Sequence, residues 1–228
     1  LNSYCTLKIT YANILAEICE NLPDGDVDVV TNAIGDDARI GRKYLKGGLS
    51  YGGPCFPRDN RAFAYSASKF NTYNTLADKT DEINDYQMNE RIPRKIMEIL
   101  KQKNVNQLAV LGLTYKKDTT LIEESAVISI IRSLSAQGVN ITVYDPVGME
   151  AAKIEFKTLR NIEYAKSIVE CIKGHKVCFI ATPWEEFRKL KSEDFLNSMN
   201  EPTIFDAWNL YSLSEEDGID YRQIGKGI

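Results

Sequence analysis

Residues 107–146, QLAVLGLTYKKDTTLIEESAVISIIRSLSAQGVNITVYDP, decide the fold class. QLAVLGL is a short apolar run closed by glycine. SAVISIIRSLSAQG has helical apolar spacing and stops at Gly138, and NITVYDP is a second run of strand length. Two strands separated by one helix of this length form a β-α-β unit, because parallel strands need a crossover of about a dozen residues or more. Downstream, KVCFIAT (176–182) and PTIFDAW (202–208) supply two further buried-strand candidates, with helical segments such as PWEEFRKL between them. The spacing predicts a doubly wound, Rossmann-like α/β domain with a mainly parallel sheet over residues 104–228.

Upstream the period changes. Leu7, Ile9, Tyr11, Ile14, Leu15 and Ile18 fall at broadly helical spacing, VDVVTNAIG (27–35) reads as a second helix stopped by Gly35, and IPRKIMEILKQK (92–103) carries a stripe of Ile92, Ile96, Ile99 and Leu100. Residues 1–103 therefore read as an all-helical domain. Residues 36–60, rich in charge, glycine and proline, are assigned to a shaped loop within it, with Cys55 at its centre. The chain opens without methionine inside an apparent helix, which suggests that the true start lies upstream.

Composition bounds the function. The 228 residues are 43% hydrophobic and 26% charged with a formal net charge of −4, so there is no basic footprint for nucleic acid. No apolar run is long enough to span a bilayer, and no signal peptide is visible. Five cysteines without a close CxxC pair, and a single histidine at the start of an apparent strand (His175), leave no zinc-ligand pattern, so no metal is expected. Reduced thiols point to the cytoplasm.

Three stretches can carry chemistry. In YGGPCFPRD (51–59) two prolines fix φ and two glycines permit unusual dihedrals, which leaves Cys55 in a rigid turn beside Arg58 and Asp59. A nucleophilic thiolate there needs a cation or amide donors, with Asp59 acting toward water or as an orienting group. A buried, inert thiol is the competing reading. GLTYKKDTTLIEES (112–125) follows a strand and precedes a helix, where anions bind in open α/β sheets, and Lys116 and Lys117 add charge; a solvated loop explains the same residues. DDARIGRKYLKGG (36–48) brings Arg39, Arg42, Lys43 and Lys46 toward the cysteine turn, as a phosphate clamp or as a solvated face. No G-x-G-x-x-G and no Walker A loop occurs.

Together, NSYCTLKITYANILAEICE, GDDARIGRKYLKGGLSYGGPCFPRD, LAVLGLTYKKDT and FDAWNLYS closely resemble the UDP-glucose/GDP-mannose dehydrogenase family over nearly the whole chain. The resemblance implies a central helical domain and a C-terminal nucleotide-sugar domain, with an NAD-binding domain upstream of Leu1. It implies NAD-dependent oxidation of a nucleotide sugar, UDP-glucose to UDP-glucuronate, by two hydride transfers through a cysteine thiohemiacetal and thioester. Cys55 would be the nucleophile, Asp59 would handle protons or water, and Asn2 would stabilise the oxyanion. Arg39 matches an arginine that reaches a neighbouring subunit, which implies a homodimer through the helical domain. Tyr44, Lys46, Leu49, Ser50, Tyr51 and Gly52 match the segment wrapping the substrate, and Tyr115 and Lys116 match its contacts in the C-terminal domain. Two departures stand out: Glu123 replaces an arginine near the cofactor, and Trp208 in DAWN replaces another near the substrate. GDP-mannose or a UDP-N-acetylhexosamine as substrate, and a binding or assembly module without catalysis, remain alternatives.

Overall fold

Helix α1 (Asn2–Glu20) opens the chain and turns Cys5, Ala12, Ala16 and Cys19 inward. Thr6, Thr10 and Asn13 lie on the same buried face, and the helix packs against α2 (Val27–Gly35), α3 (Phe56–Lys69) and α4 (Leu76–Tyr86). Asp26 caps α2, its carboxylate accepting the backbone N–H groups of Asp28 at 2.8 Å and Val29 at 3.2 Å. Helix α3 begins at Phe56, inside the segment that sequence assigns to loop. Pro57 occupies the second helical position, where a missing N–H costs nothing and the fixed φ favours the helix. Cys55 is thus the N-cap of a helix rather than the middle of a loop.

The computed structural model describes residues 1–73, 75–214 and 217–227. They divide into two compact units, Leu1–Met88 with Ile224–Ile228, and Asn89–Gln223. In the helical unit the segment after residue 223 is stitched to the α1–α2 corner. Val27 N–H donates to the Gly225 carbonyl, and Gly227 N–H to that of Gly25, both at 2.8 Å. Lys226 Nζ stands 2.6 Å from Asp26. Gly225 has φ +78°, and a Cβ there would lie 2.2 Å from Val27 Cγ1, so no other residue fits unstrained.

The boundary falls within a π-helical turn, Gln87–Arg91, which leads into α5 (Ile92–Gln102) of the second unit. Its predicted stripe is buried as read, and α5 packs on α6 (Ala126–Ala136). The compact units therefore divide at Met88, whereas the sequence pattern drew its boundary at 103: α5 resembles its helical predecessors in sequence but packs on α6 of the α/β unit. The sheet is formed by β1 (Gln107–Leu111), β2 (Asn140–Tyr144), β3 (Ile162–Tyr164), β4 (Val177–Ile180), β5 (Thr203–Asp206) and β6 (Asp220–Gln223). Its order is β3-β2-β1-β4-β5-β6, parallel throughout. Helices α7 (Met149–Glu155), α8 (Ile168–Ile172), α9 (Glu185–Arg188) and α10 (Ser192–Ser198) complete the winding. The order reverses between β1 and β4, so the carboxyl ends of these two strands frame the crevice where such sheets bind ligands.

Candidate active site

The helical unit exposes one thiol. Cys55 is exposed, whereas Cys5, Cys19, Cys171 and Cys178 are buried and all five are free. Burial pushes the Cys171 thiol up to about 12, so it is protonated and inert at neutral pH. Cys55 sits where the unpaired N–H groups of the first α3 turn favour negative charge. One turn on, Asp59 N–H donates to the Cys55 carbonyl at 2.9 Å. The Asp59 carboxylate accepts Asn2 Nδ2 at 2.7 Å and Arg58 Nε at 3.0 Å. These bonds, Asn2 first, hold its carboxyl below the usual carboxylate range. Thus Asp59 and Asn2 meet at the crossing of α1 and α3, one helical turn from Cys55. Asn60 fixes that crossing, accepting Thr6 Oγ1 at 3.3 Å and donating to the Ala77 carbonyl at 2.9 Å.

The stretch before the thiol is clamped by two buried asparagines. Asn13 of α1 accepts Gly48 N–H at 3.0 Å and donates to the Leu49 carbonyl at 3.3 Å. Asn84 of α4 accepts Tyr51 N–H at 2.9 Å and donates back to the Tyr51 carbonyl at 3.1 Å. Ser50 Oγ donates to the Asn84 carbonyl at 2.9 Å, and the Tyr51 hydroxyl to Asp81. Burial, then Asp81, pushes the Tyr51 phenol well up, so it stays a donor. Leu49 is buried and Gly52 half-buried. Tyr44, with φ +63°, strained for a non-glycine residue, sets its ring edge-on to Phe56 at 5.8 Å, and Tyr51 flanks Phe56 at 6.4 Å. Lys46 is exposed.

The basic run that sequence offers as a phosphate clamp is largely matched by its own acids. Arg39 pairs with Asp37 at 2.6 Å, Arg42 with Asp36, and Arg58 with Asp59 at 2.9 Å. Lys8 secures this turn by donating to the carbonyls of Ile40 at 3.0 Å and Gly41 at 2.8 Å.

In the α/β unit, Tyr115 and Lys116 lie just beyond β1. Lys116 Nζ stands 5.4 Å from the Tyr115 ring centroid, and Tyr115 N–H donates to the Leu121 carbonyl at 3.2 Å. Gly112, at φ +97°, lets β1 pass Thr182: a Cβ would come within 2.6 Å of the Thr182 backbone nitrogen. Buried Asp145, at the end of β2, gathers three loops. It accepts Leu113 N–H at 2.7 Å, Gly148 N–H at 2.7 Å and Trp184 Nε1–H at 3.2 Å. Lys117 pairs with Glu185 at 2.8 Å, and Glu123 is exposed beside Glu124, itself at φ +52°. This turn is a packed structural corner and not a dinucleotide cradle, since the close approach at Gly112 is already taken by Thr182.

Asn13, Asn84, Phe56 and Asp145 escape the sequence reading. The signal for the asparagines was a polar amide inside an apolar helical face, but partners about 35 positions away cannot be read from spacing. Among the described residues no group of three or more His, Cys, Asp or Glu could hold a metal ion, and no helix is long and apolar enough to cross a membrane.

Comparison with known proteins agrees with this division. Residues 1–86 match the family model for the central domain of the UDP-glucose/GDP-mannose dehydrogenase family, and residues 109–213 match that for its UDP binding domain. The chain is 33% identical over 227 residues to a UDP-glucose 6-dehydrogenase of Rhizobium meliloti, covering 99% of this chain and 51% of that protein. It is 30% identical over 227 residues to UDP-glucose 6-dehydrogenase YwqF of Bacillus subtilis, covering 99% and 51%. Among solved structures, a UDP-glucose dehydrogenase from Pyrobaculum islandicum superposes with a TM-score of 0.81 at 25% identity, covering 99% of this chain and 49% of that one. The UDP-N-acetyl-mannosamine dehydrogenase Cap5O of Staphylococcus aureus gives 0.75 at 26% identity, covering 99% and 49%. The chain spans about half the length of the curated relatives it matches.

Proposed function

The chain belongs to the UDP-glucose/GDP-mannose dehydrogenase family, and on that premise we propose that it is the central and C-terminal portion of an NAD-dependent UDP-sugar 6-dehydrogenase. The preferred substrate is UDP-glucose, and the reading rests on one observation. The exposed thiol, Cys55, caps a helix whose next turn carries a carboxylate already hydrogen-bonded to Asn2.

NAD, held by a domain outside this chain, supplies the hydride acceptor. After the first oxidation of C6, the Cys55 thiol adds across the aldehyde: a C–S bond forms and the proton passes to the former carbonyl oxygen. This step turns an aldehyde without a transferable hydride into a thiohemiacetal that has one. Loss of a hydride and a proton leaves the thioester. Water then adds to its carbonyl, the C–S bond breaks, the thiol is restored and the acid departs. Asn2 is the neutral donor for the developing oxyanion, and the first-turn amides of α3 favour negative charge at the same centre. Asp59, kept ionised, accepts the proton of the attacking water. Within the helical unit, Tyr44, Lys46 and the clamped backbone from Leu49 to Gly52 are the substrate-holding residues of this reading; within the α/β unit they are Tyr115 and Lys116. Replacing Cys55 with serine should lower NADH formation by roughly a thousandfold or more in the full-length protein; turnover that persists removes the covalent route.

The unit also forms a homodimer in this reading. Tyr4, Tyr11 and Ile18 repeat every seven residues along α1 and are all exposed, an apolar stripe suited to a second copy. In the same assembly Arg39, exposed and paired with Asp37 within its own chain, is the residue that would reach a neighbour's substrate. Five free thiols fit a reducing compartment, the cytoplasm. A nucleotide-sugar binding module without catalysis is favoured only by Glu123 and Trp208; calorimetric UDP-glucose binding with no NADH production would support it. Turnover of GDP-mannose or a UDP-N-acetylhexosamine in preference to UDP-glucose would move the substrate assignment alone.

A further inference from the structure

Helix α3 buries very little of itself. Of its 14 residues only Pro57 and Asn60 are buried, three positions apart and so on one face, while most of its second half is exposed. Apolar packing is non-directional, and here it is too sparse to fix how the helix is turned about its own axis. The polar residue on that face is directional. Asn60 is 1% exposed, and its Nδ2 donates at 2.9 Å to the Ala77 carbonyl of α4, an oxygen that can only accept. This sets the orientation of the amide and leaves Oδ1 to face Thr6 Oγ1 of α1 at 3.3 Å. The Thr6 hydroxyl hydrogen is shared between that oxygen and the Ser3 carbonyl at 2.9 Å. One buried amide therefore ties α3 to α1 and to α4 at once.

The residues that carry the chemistry hang from this tie. Asn60 directly follows Asp59, and successive helix residues point about 100° apart, so holding Asn60 inward brings Asp59 to the margin of the same face. There Asp59 Oδ2 accepts Asn2 Nδ2 at 2.7 Å. Asn2 and Thr6 lie four positions apart on α1, so the pairs Asn2–Asp59 and Thr6–Asn60 run side by side across the crossing. Arg58, the other partner of Asp59, belongs to α3 and turns with it; the Asn2 bond crosses between helices and depends on the rotation. We propose that Asn60 is a positioning residue for the dehydrogenase reaction: it sets the rotation of α3 that holds Asp59 against Asn2, one turn from the Cys55 N-cap. This role rests on the dehydrogenase reading of Cys55, Asp59 and Asn2 above.

Two substitutions cut the tie at different points. Asn60→Leu keeps an apolar group of similar size and removes both bonds; Thr6→Val keeps the shape and removes one. In full-length protein, NADH formation from UDP-glucose is measured across a pH series for wild type and both variants, with circular dichroism to check folding. Asn60→Leu should lower kcat roughly tenfold and leave KM for UDP-glucose within about twofold of wild type, because a buried Asn60 does not touch substrate. The acidic limb of kcat/KM should move to higher pH as the bond that favours ionised Asp59 loosens. Thr6→Val should do the same to a smaller degree. A wild-type kcat in folded Asn60→Leu, a loss carried by KM alone, or a lower kcat with an unmoved limb overturns the positioning role and leaves the dehydrogenase reading standing. Where Asn60→Leu does not fold, Thr6→Val decides by the same criteria. Absence of NADH formation by wild type overturns the dehydrogenase reading and the positioning role with it.

Discussion

Asp59 shows how a side chain's role follows from its neighbours. An isolated carboxylate beside a thiol would oppose negative charge there, but this one is tied to Asn2 and Arg58, which offset its field and keep it ionised. Its folded value lies below the ordinary one, so removing a donor must raise it. Asn2→Ala should shift the acidic limb of the activity profile to higher pH, measurable by a pH series of kcat/KM; a limb that stays put would show that Asp59 does not titrate in the reaction. Thiol chemistry gives a second expectation at this scale. Brief treatment of the folded protein with iodoacetamide should label Cys55 well before Cys5, Cys19, Cys171 or Cys178, since only Cys55 is exposed. Mass spectrometry of the digest reads this directly, and early label on Cys171 would contradict it.

Between elements, side-chain amides do what backbone ladders do in a sheet. Asn84 exchanges two hydrogen bonds with Tyr51 and thereby fixes the 48–51 stretch against α4. Asn84→Ala strands a buried N–H and C=O and should cost about 2 kcal/mol in urea unfolding. Gly112→Ala forces a Cβ into Thr182 at a positive φ and should cost about 2 kcal/mol or more. The legibility of elements followed their apolar content. QLAVL, NITVY, VCFI and TIFD announced themselves as strands, while IEY and DYRQ did not, being too short or too polar to carry a period. The start of α3 hid behind Pro57, which reads as a breaker in a sequence and serves as a first-turn residue in the structure. The thiol and its carboxylate were visible in YGGPCFPRD. The two clamping asparagines were not, because nothing local distinguishes a buried amide with distant partners from a solvated one.

For the α/β unit as a body, acid stability is held at its last strand. Asp220 on β6 pairs with Lys103 and Arg222, each at 2.8 Å. Burial works against its charge, yet the bonds from Arg222 and Lys103 prevail and lower it from 3.8 to about 2. A depressed carboxylate contributes fully above its unfolded value, and that contribution drains away as pH falls from about 4 to about 2. Asp220→Asn should therefore flatten the loss of stability over that interval, read by urea midpoints at pH 5, 4 and 3. A second whole-molecule consequence comes from the return of residues 224–227 to the α1–α2 corner. The sheet-bearing half is, in topological terms, an insertion: the polypeptide leaves the helical half after Met88 and re-enters it at Ile224. Two passages of chain, not one, therefore join the halves, so a single backbone cut at either crossing leaves them covalently linked. The slot that admits only glycine at position 225 is thus a rivet, by which a residue far along the sequence is built into the half that carries Cys55.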